Sequence, residues 1–133
     1  MTISAAPRPV SFDLHEWRDT CSDPATGSGS AEPGSASTDR VAELSRALGH
    51  SARVAIVEML SSGEARVVND IVARSGLAQS TVSEHLRILR AAGIVSCRRD
   101  GPRSWYRLRG YVLQQLADAL DDLAEPTAPP RVV

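Results

Sequence analysis

The sequence predicts a mainly α-helical domain with one small β-hairpin, an α+β fold, between about residues 39 and 124. Apolar residues recur every three or four positions from Val41 to Leu89, which is the spacing of helices that bury one face. After Gly93 the period becomes two, as in strands, and the helical period returns before Leu123. Helices, a hairpin and a last helix are therefore expected in that order.

Capping residues give the bounds of the first four helices. Thr38 or Asp39 begins the first helix and Gly49 ends it, whereas His50 or Ser51 caps the second. Gly76 ends a short third helix and is followed by a tight turn. The predicted helices span about 39–48, 51–61, 68–75 and 79–92. Two short helices joined by a tight glycine-containing turn, as in the last pair, are typical of a helix-turn-helix.

The hairpin is predicted at 94–108, with a turn at Asp100-Gly101-Pro102 and with Val95 and Cys97 on its inner face. A final helix is predicted at 111–123. Its leucines follow steps of three and four, a stripe that one helix cannot bury in water. A second stripe lies on the first helix. Together these candidate interface residues are Val41, Leu44, Leu48, Leu113, Leu116, Leu120 and Leu123.

The regions outside 39–124 have no pattern that predicts a core. Residues 22–38 are a linker in which fifteen of seventeen positions are Ser, Gly, Pro, Ala or Thr. Residues 1–38 as a whole are predicted to form a flexible arm, with a short helix at 9–21 only if that segment docks. Residues 125–133 are predicted to be a disordered tail.

The overall charge conceals three regions of different sign. The 133 residues hold 15 Arg, no Lys and 16 acids, for a net charge of −1. Residues 1–39 carry −4, residues 40–111 carry +6 and residues 112–133 carry −3. Residues 83–109 alone hold seven Arg against two acids. A basic module between acidic flanks indicates a polyanionic partner for the middle of the chain.

The fourth helix and the hairpin contain the residues that predict DNA binding. If the helix buries Val82, Leu86 and Leu89, its other face presents small polar residues followed by arginine, as in a helix that contacts base edges in the major groove. The hairpin arginines are placed to contact the backbone. The alternative is that this polar face of the fourth helix is merely solvated and has no role in binding. The candidate DNA-binding residues are Gln79, Ser80, Thr81, Ser83, Glu84, His85, Arg87, Arg90, Arg99 and Arg103.

Three stretches resemble the ArsR/SmtB family of winged helix-turn-helix repressors. They are LGHSARVAIVEMLSSGE (48–64), GLAQSTVSEHLRILRAAGIV (76–95) and RRDGPRSWYRL (98–108). The resemblance covers about residues 39–123 and implies a homodimer that joins through its first and last helices. It also implies binding to double-stranded DNA at a pseudo-palindromic operator, with transcription blocked until an effector binds. A sequence-specific transcriptional regulator, a repressor of this type, is therefore expected.

Two residues of the fourth helix leave alternatives open. His85 either contacts DNA, as the resemblance implies, or packs at the base of the helix beside Leu86. Glu84 cannot contact phosphate favourably, so it either accepts a hydrogen bond from a cytosine amine or adjusts specificity by repulsion.

The effector is not apparent from the sequence, which leaves metal-responsive, redox-controlled and ligand-free regulation open. The family's third-helix C-x-C positions hold Val67 and Asn69 here, and the last helix has acids but no His. A transition-metal or metalloid effector remains open, with His15 and Cys21 as candidate ligands, against an arm in which both are incidental. Cys97 is either a small buried hydrophobe or a redox thiol favoured by its neighbouring arginines. Reduced thiols are the default for two cysteines without a C-x-x-C spacing, and a Cys21–Cys97 disulfide switch is an open alternative that no spacing supports.

A different class of function is a protein-interaction module that uses the last-helix leucines and the arm. Sedimentation would separate the two, because a stable homodimer occupies those leucines. An enzyme is not expected, since the sequence has no phosphate-binding loop and no nucleophile–base pair. No apolar run approaches the length of a membrane span and no signal segment is present, so a soluble cytoplasmic protein without a membrane partner is predicted.

Overall fold

The computed structural model describes Cys21 and residues 37–125, and the predicted arm helix, linker and tail lie outside these residues. Five helices and three strands follow one another along this part of the chain. They are α1 (Thr38–Ala47), α2 (Ser51–Leu60), β1 (Arg66–Val67), α3 (Val68–Ser75), α4 (Gln79–Ala91), β2 (Val95–Asp100), β3 (Arg103–Leu108) and α5 (Gly110–Ala124). The predicted α+β fold is confirmed, and each predicted helix agrees to within one residue at either end.

The sheet has one strand more than the sequence predicted. The two-residue strand β1 pairs antiparallel with β3, which gives the strand order β1-β3-β2. In the hairpin Val95 lies opposite Leu108 and Cys97 opposite Tyr106. Two residues are too few to show a period, which is why the pattern did not reveal β1.

The helix ends use the predicted capping chemistry, with one shift. Ser37, one residue before the predicted start, accepts a hydrogen bond from the backbone N–H of Arg40 at 3.2 Å. His50 caps α2 by accepting from the N–H of Ala52 at 3.1 Å. Gly76 ends α3 in the left-handed region at φ 69°, where a residue without a Cβ is favoured.

One apolar core joins the helices to the hairpin. Leu44, Ile56, Leu60, Ile71, Val82, Leu86, Leu89 and Ile94 are all fully buried in it. In α2 the side chain of Val54 is 39% exposed, whereas Ile56 is fully buried. A smaller cluster of Ala65, Val67 and Trp105 lies at the sheet.

The last helix divides its apolar residues between two faces. Val112, Leu116 and Ala119 are buried within the protomer, whereas Leu120 and Leu123 are 47% and 76% exposed. Of the predicted interface residues, Leu44 and Leu116 therefore belong to the protomer's own core, because α1 and α5 contact each other. This corrects the prediction that the whole leucine stripe is available to a partner.

Arg40 joins α1 to the turn that follows α4. Its Nη1 donates to the carbonyl oxygen of Ala92 at 2.7 Å and also pairs with Glu43 at 3.1 Å. The turn is a Schellman motif, with the N–H of Ile94 donating to the Leu89 carbonyl at 2.9 Å. Gly93 is at φ 81°, and a Cβ there would lie 3.1 Å from Arg40 Nη2. Glycine at position 93 therefore leaves the space that the Arg40 guanidinium occupies.

No helix in the described part of the chain combines the length and the apolar character needed to cross a membrane.

Arg40→Ala is expected to lower the free energy of unfolding by about 1–2 kcal/mol, because it removes a charge-assisted hydrogen bond between two elements. Urea denaturation measures this change. Arg46→Ala, at an exposed position of the same helix, is the matched control and should shift the value by less than about 0.5 kcal/mol. Equal effects of the two substitutions would contradict the role assigned to Arg40.

Candidate nucleic-acid interface

The helix-turn-helix consists of α3 and α4, which pack through buried apolar residues. Ile71 of α3 and the α4 residues Val82, Leu86 and Leu89 are fully buried. Because these positions follow the helical repeat, the rest of the α4 surface must face away from the core. Ala78, the N-cap of α4, supplies no side-chain hydrogen bond to the first turn. The N-terminus of α4 thus keeps the partial positive charge that favours an anion.

The exposed face of α4 contains most of the predicted DNA-binding residues. Six of them are exposed, namely Gln79, Ser80, Thr81, Ser83, Glu84 and Arg87. Arg90 near the end of the helix is half-buried. The face therefore has small polar side chains at its start and charged side chains further along, as the periodicity predicted.

Glu84 and Arg87 form a bidentate ion pair on this face. Arg87 Nε donates to Glu84 Oε2 at 3.0 Å and Nη2 donates to Oε1 at 2.7 Å. The hydrogen bond from Arg87 is the largest influence on Glu84 and lowers the pKa of its carboxyl, with partial desolvation acting against it. Neither alternative considered for Glu84 included this pairing, although oppositely charged residues three apart on a helix are its sequence signal.

His85 lies on the inner side of α4 and is only 8% exposed. Its ring centroid is 4.7 Å from that of His50, with the planes at 50°. Among the described residues its Nδ1 has no hydrogen-bond partner. Burial lowers the pKa of His85 most, followed by the charges of His50 and Arg53, while Glu84 raises it. The burial fits the packing alternative, and it contradicts a direct DNA contact because the side chain is covered by its own domain.

The hairpin presents Arg99 and Arg103 on either side of its turn. Both side chains are exposed, and Arg103 pairs in register with Asp100. Gly101 in the turn is at φ 58°, which again favours glycine. Further along the two strands, Arg98 and Arg107 are half-buried. The basic tip predicted from the sequence is therefore exposed, while the arginines nearer the core are partly covered.

The two cysteines are joined in a disulfide between Cys21 and Cys97. Their Cα atoms are 5.5 Å apart, within the usual range for this bond. The expectation of two reduced thiols is therefore wrong for this structure. A pair separated by 76 residues gives no spacing signal, so only the tertiary fold could reveal it. Cys97 is 1% exposed, which confirms its predicted place on the inner face of the hairpin.

The described residues contain no group of three or more His, Cys, Asp or Glu arranged to hold a metal ion. His15, the other candidate ligand, lies outside the part of the chain that the structure describes. Cys21 is half-buried and its sulfur is bonded to Cys97. A metal site that uses the Cys21 thiolate would therefore require the disulfide to be reduced first.

Comparison with known proteins identifies the family. The family model described as bacterial regulatory protein, arsR family, matches residues 50–96, which include the helix-turn-helix. The biofilm growth-associated repressor of Xylella fastidiosa is 37% identical over 82 residues, which are 62% of this chain and 71% of that protein. This chain belongs to the ArsR family.

Two further relatives agree with this placement. The SmtB repressor of Mycobacterium tuberculosis is 39% identical over 89 residues, 63% of this chain and 65% of that protein. The solution structure of a homodimeric winged helix-turn-helix DNA-binding domain from Mycobacterium bovis is 29% identical. It covers 77% of this chain and 94% of that domain, with a TM-score of 0.55. The winged helix-turn-helix fold of this ArsR-family chain is thereby confirmed.

The matches are partial in length. This ArsR-family chain spans between 38% and 65% of the length of the Mycobacterium tuberculosis relatives that it matches.

The buried imidazole of His85 predicts a pH-dependent stability. Because its pKa is lowered in the folded protein, the unfolded chain binds the proton more readily. The free energy of unfolding should therefore have its full value above about pH 6.5, the ordinary pKa of an imidazole. It should fall as the pH drops toward the lower pKa of His85 in the folded state. Urea denaturation at pH 7.5 and pH 5.5 measures the difference.

His85→Gln should reduce this pH dependence, whatever its effect on stability at pH 7.5. His50→Asn, which preserves the N-cap, should reduce the pH dependence less, because it removes the charge of His50, which is only the second-largest cause of the shift at His85. If the pH dependence is the same in wild type and His85→Gln, the assignment to His85 is wrong.

Proposed function

We propose that this chain is a homodimeric, sequence-specific DNA-binding transcriptional repressor that acts in the cytoplasm. The observation that carries the proposal is the exposed polar face of α4, presented by a helix-turn-helix and followed in the chain by a basic hairpin. Two of the relatives are named as repressors, which supports repression over activation. We assign no catalytic activity, because transcriptional regulators of this family bind DNA rather than transform a substrate.

In the proposed complex α4 enters the major groove with its amino-terminal end. Gln79 and Thr81 offer amide and hydroxyl groups that suit base edges, and Ser80 and Ser83 are small enough to allow close approach. Arg99 and Arg103 at the hairpin tip contact the phosphate backbone beside the groove and fix the orientation of the domain. The partner is double-stranded DNA, and a two-fold dimer requires a pseudo-palindromic operator.

The Glu84–Arg87 pair controls how Arg87 contributes to this complex. While the pair is closed, the carboxylate neutralises much of the guanidinium charge at the surface. A phosphate must therefore compete with Glu84 for the same donors, and the contact is worth less than that of an unpaired arginine. The Glu84 carboxylate repels any phosphate that approaches it. The pair therefore favours DNA sequences in which the carboxylate finds another partner.

A salt titration of binding to the DNA upstream of its own gene tests the function. With about four to eight phosphates contacted per dimer, the logarithm of affinity should fall with that of salt concentration with a slope of about −4 to −7. Arg103→Ala should flatten this slope by about two units, because one contact is lost in each protomer. Arg87→Ala should flatten it less, since Glu84 already shares that charge.

Arg46→Ala, which removes an exposed arginine from α1, is the matched control and should leave the slope unchanged. Fluorescence anisotropy with a labelled duplex gives the affinities. If the wild-type protein has no saturable binding at moderate salt, the proposed function is wrong.

The proposed dimer forms through α1 and α5. Leu120 and Leu123 are exposed on α5 with Leu113 partly so, and the half-buried Val41 and Leu48 lie on α1. The acidic residues Asp121 and Asp122 adjoin the exposed leucines, so this face disfavours DNA and suits a protein surface. The homodimeric state of the Mycobacterium bovis domain supports a second copy of the chain as the partner.

Combined Leu120→Gln and Leu123→Gln substitutions should weaken dimerisation at least about tenfold, because apolar area is no longer removed from water on association. Sedimentation equilibrium over a concentration series gives the dissociation constant. Asp121→Asn is the control on the same helix. A wild-type protein that is monomeric at all concentrations would exclude the dimer and would leave the leucines for a different partner.

A further inference from the structure

Two histidines and an arginine come together where the start of α2 meets the side of α4. His50, the N-cap of α2, is exposed, and its ring lies against that of His85, with the centroids 4.7 Å apart. Arg53 follows in the first turn of α2 and is half-buried. Burial is the main cause that lowers the pKa of His85, and the charge of Arg53 lowers it further. The positive field of the guanidinium therefore reaches this cluster.

The Arg53 guanidinium has no acceptor within residues 37–125. Its Nε is buried without a hydrogen-bond partner, and its side chain forms none of the salt bridges in this part of the chain. By contrast, Arg40 and Arg66, which are also half-buried, each pair with an acid. A buried charged donor is costly without an acceptor, so the position of Arg53 favours an anion.

The amino-terminal end of α2 adds positive potential at the same place. The first turn of this ten-residue helix contains no acid that would neutralise it. The N–H groups of Ala52, Arg53 and Val54 all donate to His50, the first to Nδ1 and the other two to its carbonyl oxygen. The helix therefore contributes the field of its dipole rather than free N–H donors.

His50 presents one defined donor beside this end of the helix. Because its Nδ1 accepts the N–H of Ala52 at 3.1 Å, a neutral ring must carry its hydrogen on Nε2. His85 lies against this ring at only 8% exposure, and its Nδ1 has no hydrogen-bond partner among the described residues. An N–H donor, a guanidinium and a buried imidazole without a partner thus converge at the start of α2, which is a donor set that suits phosphate oxygens.

This cluster lies on one flank of the helix that is proposed to enter the major groove. Successive residues of a helix are about 100° apart, so His85 lies about a quarter turn from the exposed Glu84. A helix with its side chains is about 10–12 Å wide and the groove is about 12 Å wide. The flanks of an inserted helix therefore face the phosphates that border the groove. The carboxylate of Glu84, the acid next to His85, is already bonded to Arg87.

We propose that His50, Arg53 and the start of α2 form a phosphate-binding site that holds one backbone phosphate of the operator beside α4. This inference rests on the proposed function and adds a DNA contact outside the recognition helix and the hairpin. Arg53 supplies charge and a bidentate fork, His50 Nε2 donates one hydrogen bond, and His85 supports the His50 ring from its buried side. A free phosphate ion has the same oxygens, and the experiment separates the two sources.

The first measurement is a salt titration of the full chain on the upstream duplex by fluorescence anisotropy. Arg53→Ala should weaken binding about tenfold at about 0.1 M salt and flatten the slope by about two units, because one contact is lost per protomer. A scrambled duplex should lose the same factor, since a phosphate contact carries no sequence information. Arg46→Ala is the matched control and should change neither quantity.

Two conservative variants separate charge from hydrogen bonding. Arg53→Lys keeps the charge but loses the bidentate fork, so it should weaken binding while keeping the slope of the wild type. His50→Asn preserves the N-cap and removes a neutral donor, so it should weaken binding about threefold without changing the slope. Thermal unfolding checks that each variant is folded. If Arg53→Ala melts early, Arg53→Gln replaces it with the same expected loss of slope.

Duplexes with single phosphates replaced by uncharged methylphosphonate locate the contact. At one position in each half-site, the replacement should weaken wild-type binding but should not weaken Arg53→Ala further. Inorganic phosphate is also titrated into the DNA-free protein at constant ionic strength, with the amide signals of residues 50–54 followed by NMR. Saturable shifts that require Arg53, without any methylphosphonate position that distinguishes the two proteins, would assign the site to a free ion and overturn the DNA contact.

The outcomes distinguish this inference from the function on which it rests. If the wild type does not bind the duplex, the proposed function fails and the contact fails with it. If the wild type binds but Arg53→Ala has the affinity and slope of Arg46→Ala, the function stands and the inference is wrong. A loss that differs between the upstream and scrambled duplexes would indicate a base contact and would also overturn the phosphate site.

Discussion

The burial of one stripe of α4 is the constraint on which the rest of the domain depends. Val82, Leu86 and Leu89 have no exposed surface, and they pack on Ile71 of the preceding helix. Because a helix turns 100° per residue, fixing this stripe also fixes the opposite one, which carries the residues proposed to contact DNA. The position of the recognition surface is therefore a consequence of core packing. A cavity at Leu86 would disturb binding without any change in the exposed residues.

Local periodicity determined most of the fold that could be predicted. Caps, helical stripes and the turn at Gly101 all depend on residues within a few positions of one another, so the sequence alone contains their signal. Contacts between distant parts of the chain have no such signal. The bond from Arg40 to the Ala92 carbonyl spans 52 residues and the disulfide spans 76. Both depend on how the elements pack, which a single sequence does not specify.

The candidate site was predictable in its residues and less so in its chemistry. The periodicity correctly placed Gln79, Ser80, Thr81 and Ser83 on an exposed face. It left His85 ambiguous, because position 85 lies at the border between the buried and exposed stripes of α4 and a small rotation decides its environment. For Glu84 the expectation considered DNA alone, yet the nearest partner is Arg87, one turn further along the same helix. A charged side chain on a helix forms an ion pair with an oppositely charged neighbour before any ligand binds.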